Sequence, residues 1–107
     1  MKLRINPVAM QDMQDIKMYI TSELQNPDAA VKILQKIIAA YKRLPEFPLM
    51  GTSLSLVLGI PTEYRCLFRG SYIIFYKVEG EYISIYRVLY GRRDYVKILF
   101  GKLPDDE

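Results

Sequence analysis

The sequence predicts one α+β domain over residues 1–107: an N-terminal strand, a helical hairpin, a three-stranded antiparallel meander and a short C-terminal helix. Half of the 107 residues are hydrophobic, which suffices for one core, and the chain is too short for two. Apolar residues recur at helical spacing up to about position 44 and alternate from position 63 onward. Turn and cap residues separate these segments.

The first element is predicted to be a short strand, because Lys2–Asn6 alternates polar and apolar residues. Asn6-Pro7 then predicts a helix start: asparagine accepts hydrogen bonds from free amides, and proline fits the first helical position. Asn26-Pro27 repeats the signal for a second helix. Two apolar stripes follow, Ala9, Met13, Ile16, Ile20 and Leu24, and then Ala30, Leu34, Ile37, Tyr41 and Leu44.

Several other features of the helical hairpin are interpreted as structural. Asp12 and Asp15 are expected to be surface charges of the first helix. For Met10, Met13 and Met18 we favour core packing over a partner-binding surface. Pro45 and Pro48 end the second helix, and residues 45–62 are mostly connection. That connection is unusually apolar around residues 54–58, so it either tucks under the helices or forms a short extended piece.

Three strands and a short helix are predicted for the C-terminal half. The strands run from Tyr64 to Arg69, Tyr72 to Val78 and Tyr82 to Tyr90, with turns at Gly70-Ser71 and Glu79-Gly80. The segment 92–100 is predicted to be helical, with Asp94 as its cap and Lys97 nearer its negative end. Gly101 and Pro104 end it, and residues 105–107 are expected to fray.

Composition excludes several kinds of chemistry. The chain has no histidine, so Ser-His and Cys-His pairs and a Cys/His zinc set are excluded, and we expect no metal site. Phosphate-binding glycine motifs are missing too, so no cofactor is expected. The single cysteine, Cys66, is predicted to be a buried, inert thiol. No stretch approaches the ~20 apolar residues of a membrane span, and no signal-peptide core follows Met1, so we expect a cytoplasmic protein that does not bind membranes.

The remaining candidates are basic and aromatic. Residues 64–102 hold eight basic side chains against three acidic ones, a net charge of +5, which is typical of a protein with an acidic partner, either nucleic acid or protein, and equally of a merely solvated surface. Arginine can grip phosphate and tyrosine can stack on bases, and together they could support RNA cleavage. The alternative is that the tyrosines merely cover the sheet. The set comprises Arg65, Arg69, Arg87, Tyr90, Arg92, Arg93 and Tyr95.

The C-terminal half resembles the RelE/ParE toxin family. The resemblance is carried by Tyr64-Arg65, by Arg69-Gly70-Ser71-Tyr72-Ile73-Ile74-Phe75-Tyr76, by Ile83 and Ile85, and by Arg87-Val88-Leu89-Tyr90-Gly91-Arg92-Arg93-Asp94. It implies an antiparallel sheet cradling the hairpin and a toxin that arrests growth when released from its antitoxin. The antitoxin is expected to be acidic, encoded in the same operon, laid over the hairpin and sheet edge, and to provide the only contact with operator DNA.

The resemblance leaves two targets open. RelE-like toxins cleave messenger RNA on the ribosome, whereas ParE-like toxins inhibit DNA gyrase and lack a nuclease centre. In this sequence Ile73 and Leu67 stand where RelE-like nucleases carry basic residues, and Tyr90 stands where many relatives carry histidine. The residue sequence Tyr72-Ile73-Ile74-Phe75-Tyr76 is also closer to that of ParE-like toxins. We therefore favour the ParE-like function, with the RelE-like messenger RNA interferase as the alternative and a toxin that has lost toxicity as a third.

Each function has its own candidate residues. A nuclease would use Arg65 and Arg87 to hold phosphate, with Tyr90 or Tyr95 assisting proton transfer. An inhibitor would depend on the segment 92–100, and the expected target-binding residues are Arg69, Arg92, Arg93 and Lys97. Strand alternation puts Arg87 on the face of Ile83 and Ile85 unless a bulge intervenes. Buried there, Arg87 would be an ion-pair partner of Asp94.

Overall fold

The computed structural model describes residues 1–101, which form a five-stranded mixed sheet with helices on both faces. The strand order is β1-β5-β4-β3-β2. The elements in chain order are β1 (Lys2–Ile5), α1 (Pro7–Ser22), α2 (Pro27–Lys42), β2 (Thr52–Ser53), α3 (Leu54–Leu58), β3 (Arg65–Arg69), β4 (Tyr72–Glu79), β5 (Tyr82–Tyr90) and α4 (Tyr95–Phe100). The predicted α+β class and element order are confirmed, and β2 and α3 are additional.

Both predicted helix starts are confirmed by their caps. The Asn6 side chain accepts a hydrogen bond from the Val8 amide at 2.9 Å, and the Asn26 side chain accepts one from the Ala29 amide at 3.1 Å. Each helix begins at the following proline. Before α1, β1 pairs in parallel with β5, so the N-terminus becomes an edge of the sheet that the meander builds.

The helical hairpin packs on one face of the sheet, called here the helical face. The core between them contains Ile16, Ile20, Ile37, Tyr41, Leu44, Leu67, Ile74, Tyr76, Ile83, Ile85 and Val88. With Ala9 and Ala30, which lie in the same core, these include seven of the ten residues of the two predicted stripes. Leu24 is an exception: it is 58% exposed because α1 ends at Ser22, before the stripe reaches it.

The opposite face of the sheet carries a second, smaller core. Here α3 and α4 cover Cys66, Ile73, Phe75 and Leu89, and Leu54 of α3 is 1% exposed. The connection contains a short extended piece, β2, but its apolar residues 54–58 form α3. Leu54 packs on the face away from the hairpin, whereas Met50 of the same connection packs against the core under the hairpin. Cys66 is buried, as predicted.

A bulge interrupts the antiparallel pairing of β4 and β5. Phe75 lies opposite Arg87, whereas the next residue, Tyr76, lies opposite Ile85, so β5 has one extra residue, Tyr86. The extra residue returns Val88 to the helical face, where Ile85 also lies. Simple alternation therefore does not describe the side chain of Arg87.

The C-terminal helix α4 starts three residues later than predicted. The Asp94 carboxylate accepts a hydrogen bond from the Lys97 amide at 3.3 Å, which confirms the cap, and Gly101 ends the helix with a φ of 81°. The predicted stop at Pro104 and the acidic end at 105–107 lie outside the described residues. Among residues 1–101, no helix is long and apolar enough to cross a membrane.

Candidate functional site

The most polar interior contact joins α1 to β5. Asp12 accepts two hydrogen bonds from the Arg87 guanidinium, at 2.7 and 2.8 Å, and a third from the Val88 amide at 3.0 Å. The Asp12 side chain hydrogen bond is the main cause that raises the pKa of Arg87. Two expectations are corrected: Asp12 is only 7% exposed, and Arg87 pairs with Asp12 rather than with Asp94.

Arg65 holds the segment before β2. Its guanidinium donates to the Gly51 carbonyl at 2.6 Å and, more weakly, to the Leu49 carbonyl at 3.4 Å. Its Nε is buried without a hydrogen-bond partner. One terminal nitrogen of Arg65 is therefore occupied inside the protein, and the buried Nε does not face a ligand at the surface.

The two candidate tyrosines lie on opposite faces of the sheet. Tyr90 contacts Tyr72 edge to face, with 5.9 Å between the ring centroids, and lines a groove of about 700 Å³ beside α1. Tyr95 packs against Phe75 in the second core, with centroids 5.2 Å apart. No single surface presents both rings, and Arg65 and Arg87 are each engaged elsewhere.

The two positions where nuclease relatives carry basic residues are apolar and buried here. Ile73 belongs to the second core and Leu67 to the first, and each is 5% exposed. They also point to opposite faces of the sheet. Neither side chain could contact the phosphate of an RNA substrate with a polar group.

Of the predicted target-binding residues, Arg69 and Arg92 lie at one end of the molecule, and Arg93 and Lys97 follow Arg92 in the chain. The turn between β3 and β4 meets the end of β5, where the Gly91 amide donates to the Ser71 carbonyl at 2.7 Å. Arg92, Arg93 and Lys97 are exposed there, and Arg69 is partly buried. We call Arg69, Arg92, Arg93 and Lys97 the basic corner.

A small hollow opens in the basic corner on the face of the second core. Its volume is about 260 Å³, and it is lined by Phe68, Gly70, Ser71, Ile73, Tyr90, Gly91 and Arg92. Phe68 is 50% exposed on its rim. Strand alternation puts Phe68 on the same face as Tyr64 and Cys66 and does not distinguish an exposed rim residue from a buried one.

A cation–aromatic cluster was also missed. The Lys77 ammonium lies 4.4 Å from the ring centroid of Tyr64 and 4.9 Å from that of Tyr86. Burial and the Glu79 carboxylate, which accepts from the Tyr86 hydroxyl at 2.9 Å, raise the pKa of Tyr86. Tyr64 also contacts Phe100, so this cluster supports the docking of α4. Alternation within each strand does not give the register that brings Tyr64, Lys77 and Tyr86 together.

The methionines of α1 are largely at the surface. Met10 is 55% exposed and Met18 is 64% exposed, so the expectation of core packing is wrong for both. With Met13, Leu34 and Ile38 they line a groove of about 530 Å³ between α1 and α2. Of these three methionines, only Met13 packs against the core between the hairpin and the sheet. Among residues 1–101, no three His, Cys, Asp or Glu side chains lie close enough to hold a metal ion.

Comparison with known proteins gives the family. The family model described as ParE toxin of type II toxin-antitoxin system, parDE, matches residues 3–95. A solved structure titled as the chromosomal ParDE toxin–antitoxin system from P. aeruginosa is similar, with a TM-score of 0.69 and 25% identity, over 84% of this chain and 95% of that one. No curated protein matches the chain. The resemblance inferred from residues 64–94 is confirmed, and the chain belongs to the ParE toxin family of type II toxin–antitoxin systems.

Proposed function

We propose that this toxin arrests growth by binding DNA gyrase and blocking it, without cleaving RNA. The observation that supports the proposal is the dispersal of the candidate nuclease residues. Arg87 is engaged by Asp12, and Arg65 by backbone carbonyls. A ribonuclease needs its acid, base and phosphate-holding groups around one reacting atom. An inhibitor that acts by binding needs only an accessible surface.

The basic corner and α4 are the surface that we propose for the target. Arg92 and Arg93 are exposed in the turn after β5 and Lys97 is exposed on α4, so their charges can steer the toxin towards an acidic partner. The Phe100 ring is 36% exposed at the end of α4 and offers an apolar contact beside them. Such a mixture of arginine and aromatic side chains is typical of the centre of protein interfaces.

We further propose that a cognate antitoxin from the same operon neutralises the toxin. The similar solved structure is of a ParDE toxin–antitoxin system, which supports such a partner. The groove with Met10 and Met18 suits the apolar side of an antitoxin helix, and methionine adapts to irregular partners. An acidic antitoxin would complement the net positive charge of +3. The complex would repress its operon through the DNA-binding part of the antitoxin, in the cytoplasm.

The experiment is to induce the toxin without antitoxin and to measure plasmid supercoiling and messenger RNA 5′ ends in the same cells. Growth arrest with relaxed plasmids and intact messages is the expected result. The variant Arg92→Glu/Arg93→Glu should restore growth, whereas Lys32→Glu/Lys36→Glu, which reverses two exposed charges on α2, should not.

Two other results would contradict the proposal. New 5′ ends at ribosome-occupied codons with normal supercoiling would establish the RNA-cleaving alternative. Normal growth, with soluble toxin and antitoxin binding both confirmed, would indicate a family member that has lost toxicity. Purified gyrase with added toxin distinguishes a direct effect from a secondary one, because inhibition must then appear in a supercoiling assay without ribosomes.

A further inference from the structure

We propose that Met10 and Met18 are sites of reversible oxidation to methionine sulfoxide, and that hypochlorous acid, by oxidising them, prevents the antitoxin from rebinding the free toxin. The inference rests on the proposed antitoxin helix in the groove between α1 and α2. It goes beyond that proposal because it assigns a chemical modification, and a consequence of that modification, to two side chains of the groove.

The two thioethers differ in exposure from other methionines of the chain. Met10 is 55% exposed and Met18 is 64% exposed, both on α1. Met13 and Met50 are partly buried and pack against the core between the hairpin and the sheet. An oxidant must reach the sulfur atom, so hypochlorous acid in solution reacts with Met10 and Met18 before it reacts with Met13 and Met50.

Both exposed methionines line the same groove. They are eight positions apart on α1, which places them about 12 Å apart along the helix axis. Leu34 and Ile38 line the groove from α2. A helix that is seated along the groove therefore covers both sulfur atoms with apolar surface.

The charge of the groove favours an acidic occupant. Among residues 1–101, Lys17 is the single charged side chain that lines the groove. The proposed acidic antitoxin can pair with this ammonium while its apolar side chains contact the methionines. The antitoxin is therefore the occupant whose binding depends on the chemical state of Met10 and Met18.

The oxidant itself balances the oxidation step. The thioether sulfur attacks the chlorine of hypochlorous acid, water then adds its oxygen to the sulfur, and chloride leaves. Two electrons pass from sulfur to chlorine, so one thioether and one hypochlorous acid give one sulfoxide, one chloride and one proton. A methionine sulfoxide reductase reverses the change by passing two electrons from thiols to the sulfoxide, whose oxygen leaves as water.

Oxidation penalises the complex more than the free toxin. The sulfoxide oxygen is a strong hydrogen-bond acceptor, and water satisfies it while the groove is open. Under an antitoxin helix it lies against Leu34 and Ile38, whose side chains have no donor. Burying an unpaired polar group at two positions should weaken binding roughly tenfold or more, whereas the fold of the toxin is unaffected.

The proposed target surface is not altered by this chemistry. The basic corner contains arginine and lysine side chains and no methionine, and the last methionine of the chain is Met50. Oxidised toxin therefore escapes the antitoxin but keeps the surface that we propose for gyrase.

The experiment oxidises the purified full-length toxin with limiting hypochlorous acid, removes the oxidant and measures binding of the full-length antitoxin from the same operon. Peptide mass spectrometry should find sulfoxide at Met10 and Met18 before it appears at Met13 and Met50. Affinity should fall roughly tenfold or more, and sulfoxide reductases for both epimers should restore it. Restoration separates sulfoxide formation from chlorination of amines or rings, which these enzymes do not reverse.

Leucine variants assign the effect to particular methionines, because leucine has a similar volume and contains no sulfur. Met10→Leu/Met18→Leu should bind the antitoxin like the wild type and keep that affinity after oxidation. The matched control Met13→Leu/Met50→Leu retains the exposed pair and should lose affinity as the wild type does. Circular dichroism and thermal unfolding check that each variant folds. If one does not, wild-type oxidation and its reversal by the reductases still decide.

The outcomes separate this inference from the proposed function. Wild-type toxin that carries sulfoxide at Met10 and Met18 and binds the antitoxin with unchanged affinity overturns the inference and leaves the antitoxin proposal standing. An equal loss of affinity in oxidised Met10→Leu/Met18→Leu also overturns it, because the damage would then lie elsewhere. Failure of the untreated wild-type toxin to bind the antitoxin overturns both this inference and the proposed antitoxin.

Discussion

Asp12 and Arg87 form a bidentate ion pair, with contacts of 2.7 and 2.8 Å, between the first helix and the last strand of the sheet. Asp12 also accepts from the Val88 amide at the point where β1 no longer covers β5. The Asp12 carboxylate therefore anchors α1, neutralises a largely buried arginine and accepts the hydrogen bond of a backbone amide at the uncovered edge of β5. This explains why a charged side chain can be tolerated in the interior.

Replacing Asp12 with alanine should destabilise the protein by about 3 kcal/mol, because the arginine and the amide both lose their acceptor. Alanine favours helix, so α1 itself is not weakened. The measurement is the free energy of unfolding from urea titrations. Asp15→Ala is the matched control: Asp15 is exposed on the same helix, and its loss should change stability by less than about 0.5 kcal/mol. Equal effects of both variants would contradict this account.

Local signals predicted the helices and the meander well, because they act over a few residues. Asn6-Pro7 and Asn26-Pro27 each carry their own cap, and Gly70-Ser71 its own turn. The Asp12–Arg87 pair joins residues 75 positions apart, and local periodicity carries no information about a contact at that separation. The sequence therefore places Asp12 among the surface charges of α1 and does not predict the pair.

Only the positive charge of the candidate site could be predicted from the sequence. Counting basic residues found Arg92 and Arg93, and they are exposed as expected. The exposure of Phe68 depends on β2 ending after two residues, and the alternation of Ser53-Leu54-Ser55-Leu56 falls mostly on α3, so the pattern does not locate that end. Likewise, the helical spacing of Met10 and Met18 cannot tell which side of α1 the sheet covers.

Tyr76 supports the same segment that Arg65 holds. Its fully buried hydroxyl donates to the Pro48 carbonyl at 2.9 Å and accepts from the Gly51 amide at 3.0 Å. Tyr76→Phe leaves both backbone groups without this partner, so we expect a loss of about 1 to 2 kcal/mol in unfolding free energy. Tyr19→Phe, at an exposed position of α1, is the control and should be neutral. A neutral Tyr76→Phe would mean that water replaces the hydroxyl.

Replacing Arg65 tests whether the role of this residue is structural or catalytic. Its guanidinium is bound to the Gly51 carbonyl, so Arg65→Met should loosen residues 47–51 and lower stability by about 1 kcal/mol. Limited proteolysis and amide exchange of that segment would measure the loosening. Growth arrest per soluble molecule should persist, since the proposed inhibitor does not use Arg65. Loss of toxicity in a variant whose fold and stability are intact would instead favour the nuclease function.

Alkaline pH should destabilise the fold through its tyrosines. Burial is the first cause that raises the pKa of four tyrosines, Tyr41, Tyr64, Tyr72 and Tyr86. Because the folded-state pKa values lie above the unfolded ones, their contribution to stability is complete below about pH 10 and is lost as pH rises through the folded values.

Without histidine, no side chain of ordinary pKa titrates between about pH 6 and pH 8, so the urea midpoint should be constant over that range and fall above about pH 10. Tyr41→Phe should make the fall shallower, because one buried hydroxyl no longer ionises on unfolding. Tyr19→Phe is again the control, since Tyr19 is exposed. A midpoint that rises between pH 9 and pH 11 would have the opposite sign and would mean that the folded protein ionises its tyrosines more readily than the unfolded chain.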